Sequence, residues 1–444
     1  MQITERTLTD IATSDAYEYM RYTIEERALA SLIDGLKPSQ RFCMYSALKM
    51  AHNSFKKVAA IGGVVSEYGY HHGEVSAQEA LTRMGAEYSK HIPIIEGQGN
   101  FGTRLDPEAA QCRYIFARVH SNWDKFYRDT EHAPAHEDLE HKPPKHYLPI
   151  IPMILVNGVR GVAKGYACYI LPHDPKWVIE ATLEYVKTGK ITSEPVVRTP
   201  SFTGSITRVG HDKWIETGVV EMVGTNVARI TEVPTGMTVD NLIDTLENCV
   251  ILGYINRYED MTDDRINFEV VFKRGSNMTP DKVIDLLGLS TSHTQNLNAI
   301  MPNGSMKNFD RVEDMIREFV DYRMTILPKR IAANLERARA YAALCLDKMR
   351  FINLVNEGVI KLDGTMKRKE MSEILVTAEY IDGQFDPANL SPVLSMPIDK
   401  LTAEEYKALE KEMKRAGKDL EYWEKTNPKK EFVSDLQSVL TEVA

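Results

Sequence analysis

Cysteine is scarce in this sequence, and its spacing excludes two common uses of the residue. The 444 residues include five cysteines, an odd number, and no two of them form a CxxC pair. Scattered cysteines in an odd number argue against a disulfide framework, and the lack of a CxxC pair argues against a structural zinc site, so the sequence predicts neither. Scattered thiols of this kind are typical of a reducing cytoplasm, which is therefore the expected location.

Long apolar segments are also missing, which argues against membrane insertion. No uninterrupted apolar run reaches the ~18 residues that a membrane helix needs. The opening segment MQITERTLTD lacks the apolar centre of a secretory signal, so we expect no export. Hydrophobic residues make up 43% and charged residues 26% of the chain, as in ordinary globular proteins, and the length favours about two to four domains.

Sequence motifs for nucleotide and metal binding are absent as well. The chain has no GxxxxGK[ST] phosphate loop, no HExxH and no paired Cys/His spacing. The acidic residues from Glu259 to Asp264 superficially resemble a metal cluster, but they lie between two strand-like segments and indicate a solvated turn. The sequence therefore predicts neither ATP hydrolysis nor a metal site within this chain.

A positive net charge, the usual mark of a nucleic-acid-binding protein, is missing too, since the net charge is −9. The distribution of charge nevertheless leaves room for a positive face, because residues 37–66 and 141–173 contain no Asp or Glu. The basic side chains of these two segments include Lys37, Arg41, Lys49, Lys56, Lys57, Lys142, Lys145, Arg160 and Lys164. Such segregation fits binding of DNA phosphates, and chance clustering on a solvated surface is the competing interpretation.

Hydrophobic spacing divides the first two thirds of the chain into regions of different secondary structure. Residues 10–60 predict mostly helix, broken and restarted at Pro38, whereas residues 92–105 predict a glycine-rich loop. Residues 147–171 predict short buried strands and turns. Residues 204–275 predict a sheet of short strands separated by glycines.

The last third of the chain predicts two long helices. From about Val312 to Ile352, apolar residues recur every three or four positions, and Pro328 is expected to kink or divide this helix. A second helix is expected to begin near Thr402, which fits a capping box with Glu405. Two long helices separated by about 50 residues predict an antiparallel coiled-coil stalk with a small globular tip.

Four short motifs in the first 120 residues are informative in combination. They are DGLKPSQR (34–41), YHHGE (70–74), EGQGNFGTR (96–104) and RYIFAR (113–118). Each has an ordinary explanation when taken alone, such as a surface histidine pair or a glycine turn. In this order, they resemble the breakage–reunion subunit of the type IIA DNA topoisomerases, a family that includes gyrase A, topoisomerase IV, the eukaryotic enzyme and the medium subunit of T-even phages.

The resemblance extends over nearly the whole chain. Further matching segments are PIIPMILVNGVRGVAKG (149–165), TEVP (231–234), IREFVDYRMTILPKR (316–330) and MPIDKLTAEEYKALEKEM (396–413). The forms YHHGE and YLPIIP look more phage-like or eukaryotic than bacterial. The length also fits the phage subunit, because no room is left for the DNA-wrapping domain of gyrase A. A phage-encoded chain would act in the host cytoplasm.

The resemblance implies the residues of a catalytic site. It assigns Tyr114 as the nucleophile and Arg113 as the neighbouring phosphate clamp. His71 and His72 would complete the pocket, and one of them would hydrogen-bond the scissile phosphate or the leaving 3′ oxygen; the sequence does not separate their roles. Arg27 would contribute a further positive charge beside the DNA backbone.

The resemblance also implies residues that hold DNA outside the reacting centre. Val162 aligns with an apolar side chain that the family wedges between base pairs to bend DNA, and a core valine in a glycine-rich strand is the alternative. Gln40 and Phe42 replace a His and an Arg of bacterial members, so those two functions do not carry over. The expected DNA-contacting residues are Lys37, Arg41, Arg160, Val162 and Lys164.

The implied fold is mixed α and β and multidomain. A winged-helix cleavage domain with the catalytic tyrosine is expected over residues 1–145, and an α+β tower domain over residues 146–310. A coiled-coil stalk with a helical dimerisation tip is expected over residues 311–444.

The implied function is cleavage and rejoining of double-stranded DNA within an ATP-dependent type II topoisomerase that relaxes or decatenates DNA. Because this chain has neither an ATPase nor the acidic TOPRIM cluster that holds Mg²⁺ in relatives, both are expected on a separate large subunit, so no metal ligand is assigned here. Staggered cuts on two strands require two tyrosines, which implies a C2 homodimer. The alternative interpretation is a non-catalytic DNA-bending scaffold that kept the fold.

Overall fold

A computed structural model describes residues 7–163, 165–362, 364–380 and 383–443. Contacts within the chain form two compact units. One comprises the residues up to Arg323 together with those from Val433 onward, and the other comprises Met324–Phe432. Boundaries at residues 145 and 310 stay a prediction. Residues 433–443, which the sequence groups with the stalk, belong to the first unit.

Helices account for much of the chain in both units. The α-helices are α1 (Leu8–Asp10), α2 (Ala16–Thr23), α3 (Pro38–Met50), α4 (Val58–Gly63), α5 (Glu74–Met84), α6 (Asn122–Phe126), α7 (Met153–Val156), α8 (Pro175–Thr188), α9 (Val239–Ile251), α10 (Pro280–Leu287), α11 (Val312–Asn356), α12 (Arg368–Thr377), α13 (Leu390–Leu394), α14 (Ala403–Lys425) and α15 (Pro428–Val443). Two π-helical stretches, Ile11–Asp15 and Ile24–Ala28, continue the first helical segment. Short 3₁₀ turns occur at Val65–Tyr68, Glu87–Ser89, Thr130–His132, Pro387–Asn389 and Ile398–Lys400.

The strands all belong to the first unit and pair antiparallel. They are β1 (Lys56–Lys57), β2 (Ile95–Gln98), β3 (Phe116–Val119), β4 (Val159–Ala163), β5 (Tyr166–Ile170), β6 (Ser205–Arg208), β7 (Lys213–Thr217), β8 (Val219–Gly224), β9 (Val227–Glu232), β10 (Ile255–Asp260), β11 (Phe268–Phe272), β12 (Ser290–Thr294), β13 (Asn298–Ile300) and β14 (Met306–Asn308). The mixed α and β fold expected from the sequence is confirmed.

The amino-terminal part of the first unit has the arrangement of a winged-helix domain. Helices α3, α4 and α5 pack on one another, and a small sheet of order β1-β3-β2 lies beside them. In the register of that sheet, Ile95 pairs with Val119 and Lys56 pairs with Ala117. The long connection between β2 and β3 forms the wing, and it contains Tyr114 and the last four residues of the GQGNFG motif, whose first two residues end β2.

The strands predicted over residues 204–275 are present, but they belong to two sheets, because β6 and β7 pair with β12 in a sheet of order β12-β7-β6. A helix that the periodicity did not predict also lies between β9 and β10. A four-stranded sheet of order β10-β11-β9-β8 surrounds a core in which Phe268, Val270 and Phe272 are buried on alternate positions. Helix α9 interrupts the strands because Thr238 caps its first turn and Leu242, like other apolar residues of its inner face, is fully buried in the same core.

The second unit contains two long helical stretches that run antiparallel. Arg339 of α11 pairs with Glu424 of α14 at 3.1 Å, whereas Met349, farther along α11, packs on Leu409, which lies earlier in α14. Thr402 caps α14 and accepts a hydrogen bond from the backbone N–H of Glu405 at 3.2 Å. The predicted capping box is only half formed, because the Glu405 carboxylate accepts from Lys400 at 3.1 Å.

Pro328 does not divide α11, which runs without interruption from Val312 to Asn356. Proline removes one backbone hydrogen bond, and the flanking residues Ile326 and Leu327 are buried, so their packing holds the backbone helical. Between the two long helices, Phe351, Leu375 and Val393 form a buried apolar cluster, and its role as a dimerisation tip stays a prediction. None of the helices in the described ranges is long and apolar enough to cross a membrane.

Candidate active site

Tyr114 lies at the end of the wing, on a turn that is fastened to the body of the domain. Its backbone N–H donates to the carbonyl of Gln111 at 2.8 Å. The backbone N–H of Ala59 donates to Cys112 at 3.1 Å, and that of Val58 donates to Ile115 at 3.0 Å. The backbone on both sides of Tyr114 is therefore tied to the first turn of α4, while the tyrosine side chain is 65% exposed. A large aromatic side chain held in solvent in this way is available to a partner.

Arg113 lies beside the tyrosine ring. Its guanidinium carbon is 4.7 Å from the centroid of the Tyr114 ring, within the range of a cation–π contact. The residue is exposed, and none of the carboxylates in the described ranges pairs with it. This cation is therefore free to attract an anion toward the tyrosine oxygen.

The GQGNFG motif supplies the close packing at the base of the wing. Gly99 and Gly102 have φ values of +108° and +78°, which favour glycine strongly. The buried ring of Phe101 lies over Gly97, where an added Cβ would approach a ring carbon to 2.6 Å. The backbone N–H of Ala110 then donates to the carbonyl of Asn100 at 3.0 Å, which brings the chain back toward Tyr114.

The two histidines of YHHGE have different surroundings. His72 Nε2 is 3.1 Å from the hydroxyl of Tyr22, and its ring makes an edge contact with Tyr70 at 5.3 Å. Burial, and then the positive charges of Arg27 and His71, lower the pKa of His72. His71 is exposed. The structure thus separates a held, neutral histidine from one that faces solvent.

Helix α5 links the histidine motif to the tyrosine turn. It begins at Glu74, directly after the motif, and Thr82, late in the helix, contacts Cys112 through an Oγ1–Sγ distance of 3.6 Å. Arg27 lies on the π-helical stretch Ile24–Ala28 and is exposed. Its positive charge contributes to the lowered pKa of His72.

A cavity of about 550 Å³ gathers positive charge from separate parts of the first unit. Lys37 and Arg160, both predicted from the sequence, line it together with Arg83 and Lys90, which were not predicted. Burial lowers the pKa of Lys90, and the neighbouring charge of Lys37 lowers it further. Burial lowers the pKa of Lys37 as well, and Arg83 adds to this effect. Burial and mutual repulsion disfavour the charged form of these cations, so an anionic ligand that neutralises them would be favoured in the cavity.

The two additional cations left only a weak signal in the sequence. Arg83 and Lys90 flank Glu87, so they fall outside the acid-free segments. Among the described residues around the cavity, the only carboxylate is Asp34, and it is already engaged by Arg41. Their position in the sequence shortly before the GQGNFG motif is the signal from which Arg83 and Lys90 could have been identified as candidate DNA contacts.

Arg41 is placed differently from its prediction as a DNA contact. Only 5% of the residue is exposed, and its guanidinium donates to both carboxylate oxygens of Asp34, at 2.8 and 3.1 Å, and to the carbonyl of Leu36 at 3.0 Å. Asp34 also accepts from the backbone N–H groups of Leu36 and Tyr147, each at 3.0 Å. Arg41 therefore holds the DGLK turn from inside, and it leaves the set of proposed DNA contacts.

Val162 lies on the β4–β5 hairpin and is 76% exposed, so it is not a core residue of this unit. Arg160, on the same strand, is exposed as well. Between them, Gly161 packs so closely that an added Cβ would come within 2.2 Å of the carbonyl oxygen of Ala28. The hairpin is therefore docked on the helical stretch that carries Arg27. Lys164, the remaining predicted contact, lies outside the described residues.

Within the described ranges, no group of three or more His, Cys, Asp or Glu side chains is arranged to hold a metal ion. Glu259 and Asp260 are the last residues of strand β10, whereas the sequence predicts a turn there; Asp263 and Asp264 lie in the exposed turn that follows. Arg113 is the side chain that the structure places directly against the Tyr114 ring.

A winged-helix domain with an exposed tyrosine beside an arginine, followed by further antiparallel sheets and long helices, is the fold of the type II topoisomerase cleavage domain. The chain belongs to the family formed by the A subunits of DNA gyrase and topoisomerase IV, whose family model matches residues 27–440.

Individual relatives agree with this assignment. The chain is 36% identical over 455 aligned positions to the DNA topoisomerase medium subunit of Enterobacteria phage T4, covering 99% of this chain and 100% of that protein. It is 28% identical to the putative mitochondrial DNA topoisomerase 2 of Caenorhabditis elegans, covering 93% of this chain but only 38% of the nematode protein. The fold matches the DNA-binding, cleavage and re-ligation domain of Plasmodium falciparum topoisomerase II with a TM-score of 0.84, at 23% identity, over 98% of this chain and 64% of that one.

Proposed function

We propose that this chain is the DNA-cleaving and rejoining subunit of an ATP-dependent type II topoisomerase, with Tyr114 as the nucleophile. The observation that carries the proposal is the wing itself: the backbone beside Tyr114 is fixed by hydrogen bonds, its side chain is in solvent, and Arg113 lies against its ring. Membership of the family supports the same function.

The proposed reaction is a transesterification. The Tyr114 oxygen attacks a DNA phosphorus, a Tyr–O–P bond forms to the 5′ phosphate, and the P–O3′ bond breaks to release a 3′ hydroxyl. Because one phosphodiester replaces another, the reverse attack by the 3′ hydroxyl rejoins the strand without external energy. Tyrosine has an ordinary pKa of about 10, so the attacking oxygen must lose a proton as the bond forms.

The chain's own side chains supply positive charge and hydrogen bonds for that step. Arg113 would stabilise the charge on the non-bridging phosphate oxygens beside the tyrosine. His71, which is exposed, would hydrogen-bond the phosphate or the leaving 3′ oxygen, and His72 would fix the motif through its contact with Tyr22. Arg27 would add a further cation beside them.

DNA outside the reacting centre would follow the positive cavity and the hairpin. Lys37, Arg83 and Lys90 would neutralise backbone phosphates, which is the main source of affinity for duplex DNA. Val162 would enter between base pairs, where an apolar wedge trades stacking energy for a bent duplex with more protein contact. Arg160 would hold the phosphates next to that wedge.

The proposed site residues do not fit a magnesium ion. Mg²⁺ prefers carboxylate and phosphate oxygens, whereas the groups proposed around Tyr114 are arginine, histidine and tyrosine. We therefore place the Mg²⁺ site and the ATPase on a separate large subunit. Two staggered cuts would require two copies of Tyr114 in a C2 homodimer.

Covalent trapping tests the proposal. The chain is mixed with its large subunit, Mg²⁺ and supercoiled DNA, and then denatured with detergent. We expect protein-linked double-strand breaks with the wild-type chain and with Tyr166→Phe, a control tyrosine that is 44% exposed on the hairpin. Tyr114→Phe should give none. Adducts that persist in Tyr114→Phe would refute the assignment, and an absence of adducts with every chain would favour the DNA-bending scaffold.

A further inference from the structure

A buried chain of hydrogen bonds ends under the hairpin that carries Val162. Glu216 of β7 is only 1% exposed, and its carboxylate accepts from the hydroxyls of Thr199 and Thr235 and from Nε2 of His293 at 3.2 Å. The other ring nitrogen of His293, Nδ1, lies 2.8 Å from the hydroxyl of Tyr169 on β5. A side chain from each of three strands therefore forms one continuous network.

The direction of each hydrogen bond follows from the charges. Burial opposes the ionised form of Glu216, but the hydrogen bonds from His293, Thr199 and Thr235 outweigh it and lower the pKa of Glu216. Burial, and then the charge of Glu216, raise the pKa of Tyr169, so its hydroxyl keeps its proton. Because an ionised carboxylate can only accept, Nε2 of His293 donates to Glu216, and Nδ1 is left to pair with the Tyr169 hydroxyl. Every group in the network is used.

Tyr169 connects this network to the exposed part of the hairpin. It is the cross-strand partner of Arg160, whose guanidinium carbon lies 5.6 Å from the Tyr169 ring centroid. Its backbone also exchanges hydrogen bonds with Asn296, at 3.0 and 2.9 Å. Val162 follows Arg160 by two positions on β4, so the two side chains leave the same face of the strand.

We propose that Glu216 and His293 are positioning residues for DNA bending: through the Tyr169 hydroxyl, they fix the hairpin so that Arg160 and Val162 meet the duplex in a set orientation. The inference rests on the proposed function, since it assumes that Val162 acts as the wedge. A buried polar network in which each group has a partner permits one arrangement, whereas apolar contacts tolerate several. The network around the buried carboxylate of Glu216 therefore holds the β4–β5 hairpin rigidly.

The first test measures the hairpin itself and does not depend on DNA. Hydrogen exchange followed by mass spectrometry would compare peptides covering residues 159–170 in the wild-type chain, Tyr169→Phe and the matched control Tyr166→Phe. Tyr169→Phe keeps the ring under Arg160 and removes only the hydroxyl. We expect exchange of the hairpin amides about fivefold faster in Tyr169→Phe, the effect of one lost hydrogen bond, and unchanged exchange in the control. Equal exchange in all three chains would overturn the proposal.

The second test measures bending. A linear duplex labelled at both ends with a donor and an acceptor fluorophore is bound by the chain together with its large subunit, and end-to-end energy transfer reports the bend. Tyr169→Phe and His293→Leu should reduce the bent fraction severalfold. His293→Gln should restore part of it, because an amide can donate to Glu216 and accept from Tyr169.

The outcomes separate this inference from the function on which it rests. If Val162→Ala loses bending while Tyr169→Phe and His293→Leu bend as the wild type does, the wedge stands and the positioning network is refuted. If His293→Gln is as defective as His293→Leu, the histidine acts by its shape rather than by its hydrogen bonds, which also refutes the network. If the wild-type complex binds DNA without bending it, both the wedge role of Val162 and the positioning network are refuted. Covalent trapping would still test the assignment of Tyr114 independently.

Discussion

Replacing Arg41 with glutamine would show whether this arginine of the DGLKPSQR motif holds the fold or the DNA. The Asp34 carboxylate is completely buried, and Arg41 makes two hydrogen bonds to it. Removing one partner of a buried ion pair typically costs ~3–5 kcal/mol, because the remaining charge is left uncompensated. Asp34 would keep its two backbone N–H donors, so we expect a loss near the lower end, about 3 kcal/mol.

Urea unfolding of the full chain measures this change. Lys49→Gln is the matched control, because Lys49 is exposed on the same helix and loses the same charge. The double variant Asp34→Asn/Arg41→Gln should recover part of the loss, since it removes the orphaned charge. DNA binding measured over a range of salt concentrations gives the second readout.

The opposite pattern would refute the structural role of Arg41. If Arg41→Gln unfolds at the same urea concentration as Lys49→Gln, yet its DNA affinity falls and the slope of log affinity against log salt drops by about 0.9, then Arg41 contacts a phosphate. The same result would mean that the carboxylate of Asp34 is satisfied in another way.

Three further predictions follow from the cavity, the hairpin and the buried histidines. Lys90→Gln should weaken DNA binding and reduce the slope of log affinity against log salt by about 0.9. Lys190→Gln, an exposed control, should change neither quantity. Equal effects of the two substitutions would show that Lys90 does not contact DNA. Val162→Ala should keep DNA affinity near wild type in a short duplex but reduce bending, and full bending would show that the exposed valine is not a wedge. Burial lowers the pKa of His146 and His173 to about 4, so their contribution to stability is complete above pH ~6.5 and is lost as the pH falls toward 4. Urea unfolding should therefore show roughly 2 kcal/mol less stability per histidine at pH 5 than at pH 7, and a flat profile would contradict the burial of these rings.

The sequence predicted those parts of the site that depend on local pattern. The glycines of GQGNFG adopt backbone angles that favour glycine. Tyr114 and Val162 were assigned through the resemblance rather than through a local pattern, and both are exposed, which is compatible with the proposed nucleophile and wedge. The long carboxy-terminal helices and the cap at Thr402 follow from spacing and from one hydroxyl. These features are encoded within a few residues of one another.

Features that depend on contacts between distant segments could not be predicted in this way. The charge pattern placed Arg41 on the DNA, but charge alone does not reveal that the buried Asp34 lies within reach of it. Lys90 joins Lys37 in one cavity only because two separate loops converge there. The contact between Tyr169 and His293 joins residues 124 positions apart, and the hydrophobic spacing of neither segment predicts it.

The central claim is that one particular tyrosine becomes joined to DNA, and the most direct test identifies the attached residue. Cleavage complexes trapped with detergent are digested with nuclease and trypsin, and the peptide that carries a residual nucleotide is sequenced by mass spectrometry. We predict a 5′-phosphotyrosyl nucleotide on Tyr114, within the segment RYIFAR. A nucleotide attached to any other residue of this chain, or only to its larger partner, would contradict the account.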